Sequence, residues 1–147
     1  MSVKAMSSGQ GRASSGSIFK AAVFNVILAV IANLIILFIL RAALGLPTDF
    51  PPLQVPAILI VTVIGTSLAG AAYAIVARLS KNPNRTYPIV AVIALIVSIL
   101  PNFGAMANPS SFPFPGGSAT TFGVLIVFHV VAALVSIFTL TKLSGRR

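Results

Sequence analysis

The sequence predicts an all-α, polytopic membrane protein: four transmembrane helices, with both termini on the cytoplasmic side. Three observations carry that expectation. Long apolar runs recur four times along the 147 residues, separated by short polar or Pro/Gly-rich stretches. Charged residues make up 7% of the chain, against about 25% in a soluble domain, so a water-facing surface cannot be built from this composition. Lastly, nine of the ten Lys and Arg residues fall on one side of the alternating runs.

Residues 1–17 are rich in Ser, Gly and basic residues and have no apolar period, which predicts a disordered tail. The first apolar run, 18–40, is too long for a signal-peptide core of about 7–15 residues, so it reads as a retained helix. The second helix is expected over about 56–79, with Pro56 in its first turn. The third begins near Tyr87-Pro88, and its clean apolar run stops at Leu100, before Pro101. That is short for a span of about 20 residues. It either kinks at Pro101 and continues to 107, or is short with its outer end covered by loop. The fourth is expected over about 120–140, and 143–147 form a basic tail. Strand alternation is absent, and a barrel needs at least about eight strands.

Orientation follows from the basic residues. Lys4, Arg12, Lys20, Arg78, Lys81, Arg85, Lys142, Arg146 and Arg147 share one side, and Arg41 stands alone on the other. The positive-inside bias places the tails and the 2–3 loop in the cytoplasm and the two proline-rich loops outside. The 1–2 loop holds Asp49, the only acid; the 3–4 loop is uncharged, with Phe103, Phe112 and Phe114 among prolines and glycines, and is expected to lie over the helix ends. The net charge of +9 is topology control beside an anionic leaflet, not a nucleic-acid surface, because the bases flank apolar runs and form no patch with aromatics.

Few polar residues interrupt the runs, and they lie at similar depth. Thr66, Ser67, Ser98 and His129 fall near the middle of helices 2, 3 and 4, with Asn25 and Asn33 of helix 1 on either side. Small residues accompany them at helical spacing: Ala22, Asn25, Ala29, Ala32 and Asn33 on helix 1; Thr62, Thr66, Gly70 and Ala74 on helix 2; His129, Ala132, Ala133 and Ser136 on helix 4. Such stripes are the seams of a membrane bundle. The candidate ligand-binding residues are His129, Asn33, Ser67 and Ser98. An ionisable group at mid-membrane points to function, and a lone imidazole could bind a proton, a metalloporphyrin or a chlorophyll-type magnesium. Set against that, the chain has one His, no Cys and no second axial ligand, and a neutral imidazole could instead bond Asn33 or Ser67 across the bundle. No cofactor and no metal are therefore expected.

Catalysis finds little support. Ser67 and His129 could approach each other, but a rhomboid-type pattern needs glycine where Leu68 stands and further oxyanion donors. None of the four runs contains Asp or Glu, which argues against a carboxylate-driven exporter.

The chain resembles a family of small, uncharacterised bacterial four-helix membrane proteins, a domain of unknown function. The matching features are Ala32-Asn33, Gly65 with Gly70-Ala71-Ala72-Tyr73, Ser98 with Pro101, and Phe128-His129-Val130-Val131-Ala132-Ala133, across about 18–142. The resemblance implies a bacterial plasma membrane and no activity. The leading expectation is a non-enzymatic accessory or scaffold subunit, with the lipid bilayer and other membrane subunits as partners. The alternatives are a small-molecule or pigment-binding bundle using His129, and a small oligomeric transporter or channel.

Overall fold

The computed structural model describes residues 14–144. Four α-helices account for most of them: α1 Ser15–Leu44, α2 Val55–Leu79, α3 Pro83–Ala107 and α4 Ala119–Leu143, with 3-10 turns at Pro51–Leu53 and Pro109–Ser111. No strand occurs among the described residues. Each helix is long and apolar enough to cross a membrane. The outer surface agrees, with Ile31, Ile35 and Phe38 on α1 and Ile93, Val97 and Leu100 on α3 all exposed.

The helices outrun their apolar cores because they stop at caps, not where hydropathy falls. Ser14 caps α1, its hydroxyl accepting the Ser17 N–H at 3.1 Å, so residues 15–17 are helical and not tail. The rest of the expected tail, 1–13, lies outside the described residues, as do 145–147. At its other end α1 continues through Arg41 to Gly45, which takes φ 58° and returns its N–H to the Arg41 carbonyl at 3.0 Å. This left-handed cap favours glycine. At 30 residues α1 is about 45 Å long, more than the roughly 30 Å of a hydrocarbon core. α3 begins at Pro83, four residues before the expected start, and runs as one helix past Pro101 to Ala107. Phe103 is thus an exposed helical residue, not part of the loop. Ser118 and Thr121 form a reciprocal capping box at the start of α4.

Around the bundle the order is α2–α1–α4–α3. α1 packs on both α2 and α4, and α3 packs on α4; α2 and α3 have little mutual contact. Small residues set the α1–α2 seam: a Cβ placed on Gly70 would lie 2.9 Å from the Cβ of Ala22. Ala21, Asn25, Ala29, Asn33 and Leu37 of α1 are buried at every fourth position, facing Ile58, Thr62, Thr66 and Gly70 of α2.

Apolar clusters close both ends. At the end bearing Lys20, Arg78, Lys81, Arg85 and Lys142, buried Tyr73 and Tyr87 meet edge to face at 5.1 Å beside Ala21 and Leu140. The Tyr73 hydroxyl donates to Asn84 Oδ1 at 3.0 Å and also bonds the Ser144 hydroxyl. At the opposite end Phe50 is fully buried from the α1–α2 loop, with Phe122 at 5.3 Å and Phe114 at 6.1 Å, both edge to face. Phe112 also rests on Phe122, at 5.6 Å. Phe112 and Phe114 of the 3–4 loop thus lie over the helix ends, around a ring supplied by the other loop. Arg41 holds that loop in place, its guanidinium donating to the Leu53 carbonyl at 2.7 Å.

Candidate functional site

Between these end clusters the weak packing of α2 against α3 leaves a cleft of about 560 Å³, floored by α4 and reaching α1. Small side chains make the room: Gly65, Ala69 and Ala72 on α2, Ala91 and Ala94 on α3, and Ala133 on α4 all line it. Tyr87 lines it toward the basic end, and Pro52 and Ile58 toward the other. The remaining lining is apolar, Phe128 among it, except for a handful of polar groups: Asn33, Thr62, Thr66, Ser98, His129 and Ser136.

Three of the four residues singled out from sequence therefore meet in one cavity. Ser67 does not. It is exposed and lines a separate groove between α1 and α2, beside Ala22, Gly70 and Arg78. The reason is helical geometry: consecutive residues point about 100° apart, so with Thr66 buried toward α1, Ser67 is turned away from the cleft. The pairing of Ser67 with His129 considered for hydrolysis is consequently not assembled.

Most hydroxyl and amide hydrogens in the cleft are used locally. Asn33 Nδ2 donates to Thr62 Oγ1 at 2.9 Å, the one side chain–side chain bond there that joins two helices. Thr66 Oγ1 donates to the Thr62 carbonyl at 2.6 Å, and Asn25 Nδ2 reaches the Thr66 carbonyl at 3.3 Å. Ser98 Oγ donates to the Leu95 carbonyl at 2.8 Å. Asn33 Oδ1 in the cleft and Asn25 Oδ1 outside it are buried with no partner among the described residues, and the Ser136 and Tyr87 hydroxyls also line the cleft.

His129 differs from its expected role as interhelical glue. Its Nδ1 lies 2.7 Å from the Leu125 carbonyl of its own helix, and it bonds neither Asn33 nor Ser67. A carbonyl oxygen only accepts, so Nδ1 carries the hydrogen. The neutral ring then presents Nε2 as a bare acceptor. Nε2 has no partner among the described residues, although the ring is half-buried and lines the cleft. Chemically the site offers one imidazole lone pair in an apolar chamber. Among the described residues no three His, Cys, Asp or Glu side chains gather where they could hold a metal ion.

The family model described as "Family of unknown function (DUF6069)" matches residues 13–146. The chain belongs to this family. No curated protein and no solved structure matches it. The DUF6069 match covers all four helices, so the cleft and its polar lining lie wholly inside the family's domain. The sequence resemblance to an uncharacterised four-helix family is met at that level.

Two parts of the site were missed by sequence reasoning. One is the empty space itself, which depends on helix order. The other is the ring of Phe50 and its neighbours that shuts the end opposite the basic residues. The signal available for Phe50 was a lone aromatic between Asp49 and Pro51-Pro52, which also suits a headgroup-level ring.

Proposed function

We propose that this chain is a non-enzymatic integral membrane protein that binds a lipophilic small molecule in the α2–α3 cleft. It sits in a bacterial plasma membrane with both termini in the cytoplasm. The single observation that carries the binding reading is His129. Its imidazole takes no part in helix-to-helix bonding, yet it lines a mid-bundle cavity whose size falls in the range of about 300–1,000 Å³ typical of small-molecule sites. Polar side chains at that depth are costly unless packing or function uses them, and packing does not use this one. Orientation is supported by the gathering of Lys20, Arg78, Lys81, Arg85 and Lys142 at one end against Arg41 at the other. The bacterial membrane rests on the family resemblance.

The test is to purify the protein in lipid nanodiscs, extract with organic solvent, and compare the small-molecule content with that of His129→Leu. The reading expects a lipophilic species present in the parent, depleted in the variant, with thermal stability nearly unchanged. Equal content in both would remove His129 from the site and the reading with it.

The accessory-subunit role remains a second reading because of one feature, the small residues Gly65, Ala69, Ala91 and Ala94 along the cleft walls. They would let a helix of another subunit approach closely. Recovery of a stoichiometric membrane subunit crosslinked to those positions, with no extractable ligand, favours it.

A further inference from the structure

We infer that the cleft selects a lipophilic hydroxyl compound, an alcohol or phenol, whose O–H donates to Nε2 of His129. The inference rests on the cleft-binding reading above and adds the ligand's chemical class. It follows from the acceptor that His129 presents to the cleft. The Nδ1–H of His129 is committed to the Leu125 carbonyl at 2.7 Å, which leaves Nε2 with a lone pair and no hydrogen. The buried Oδ1 of Asn33 is a second acceptor in the cleft without a partner among the described residues; the Ser136 and Tyr87 hydroxyls line the cleft toward its basic end. One of the Asn33 amide hydrogens is turned to Thr62, and the Ser98 and Thr66 hydroxyls are turned to helix carbonyls.

At His129, a ligand group that brings only acceptors, such as that of a quinone, ketone, ester or ether, would set lone pair against lone pair. It would leave buried polar atoms unpaired on both sides, which is the arrangement that recognition sites reject most strongly. A cationic donor is disfavoured for a different reason. The only carboxylate in the chain is Asp49, in the α1–α2 loop beyond the end of α1, so nothing in the cleft would balance the charge. A neutral hydroxyl on an apolar body fits both the acceptors and the aliphatic walls.

The single histidine makes the site directly observable. Full-length protein, prepared without a polyhistidine tag and with isotope-labelled histidine, is placed in nanodiscs and titrated with para-octylphenol, its methyl ether and dodecanol. The phenol and the ether share shape and apolar area and differ in the donated hydrogen. The expected result is that the phenol binds about fivefold or more tightly than the ether, the value of one hydrogen bond. The phenol should also move the Nε2 resonance while leaving Nδ1 protonated. His129→Phe should bind phenol and ether equally. Dodecanol separates the two sources of the hydroxyl: binding like the phenol indicates an acyl-chain alcohol, and weak binding indicates a phenolic ligand.

Equal affinity of phenol and ether for the parent protein overturns the inference while leaving the cleft reading intact. So does a resonance showing Nε2 protonated before any probe is added, and that measurement needs no variant. Failure of every probe to bind removes the cleft reading itself.

Discussion

Gly70→Ala tests the α1–α2 seam at its tightest point. The added Cβ would sit 2.9 Å from the Ala22 Cβ and 3.7 Å from its Cα. Carbon atoms rest at about 3.5–4.0 Å, so the two helices must separate by roughly 0.6–1 Å, and a gap of that size forfeits a quarter to a half of each neighbouring contact. Overpacking of this kind costs about 1–3 kcal/mol. Replacing a mid-helix glycine by alanine recovers about 0.5–1 kcal/mol of backbone entropy. The balance is a net loss of about 1 kcal/mol, within bounds of roughly 0 and 2.5 kcal/mol. Gly65, five residues earlier on α2, is the internal control: a Cβ there meets nothing within 4 Å. Gly65→Ala should thus be neutral or stabilising by up to about 1 kcal/mol. The measurement is thermal or denaturant unfolding in mild detergent, run on both variants and on Gly70→Ala combined with Ala22→Gly, which deletes the opposing methyl. The double variant should regain most of the loss. If Gly70→Ala is as stable as Gly65→Ala, the close approach of α1 and α2 at Ala22 is wrong.

The other predictions address the ends of the bundle and its middle. Phe50→Ala should destabilise by about 3 kcal/mol, the usual loss for a buried phenylalanine, and should speed protease cleavage between 108 and 118, because Phe114 and Phe122 both lean on that ring. Unchanged cleavage would separate the two outer loops energetically. In the middle, Thr62→Val should cost more than Asn33→Leu. Removing the acceptor strands a buried amide, at about 1–3 kcal/mol, whereas removing the amide also removes the orphaned Oδ1 and loses only a bond worth about 0.6 kcal/mol. The reverse order in unfolding experiments would mean that Asn33 has another partner. For topology, an export-dependent reporter fused after Asp49 or Ser110 should be active, and one fused after Lys81 inactive; activity at Lys81 would contradict the inward placement of the basic end.

What could be read from the sequence was whatever depends on a single helix. The apolar runs locate all four spans, and the four-residue spacing of Asn25, Ala29 and Asn33, or of Thr62, Thr66 and Gly70, identifies the buried faces because side chains four apart share a face. Ends were less legible, since hydropathy marks where lipid contact would cease while the helix itself runs on to Ser14, Gly45 or Asn82. Depth was legible but azimuth was neglected: placing Thr66 and Ser67 in one layer is correct in height, yet at about 100° per residue Ser67 falls nearly opposite the Val61, Gly65, Ala69 and Ala72 face that lines the cleft.

The cleft itself depends on which helices are neighbours, and here the chain defeats the usual inference from loop length. Only Ser80, Lys81 and Asn82 separate α2 from α3, and so short a connection ordinarily joins closely packed antiparallel helices. Here it joins the pair that defines the cavity. The tyrosines explain how both statements hold. Tyr73 and Tyr87 meet edge to face at 5.1 Å and Tyr73 bonds Asn84, fixing the two helices at the turn. Beyond that point, the facing positions are Ala69, Gly65, Ala91 and Ala94, which carry too little volume to fill the space between backbones already set apart by two aromatic rings. Several bulky residues of α2 and α3, among them Ile60, Ile64, Ile93 and Val97, are instead exposed on the outer surface. The same small residues that make a tight seam where Gly70 meets Ala22 therefore make a hollow where two tyrosines hold the helices apart. Which of the two results from a stripe of small residues is decided by the largest side chain at its end.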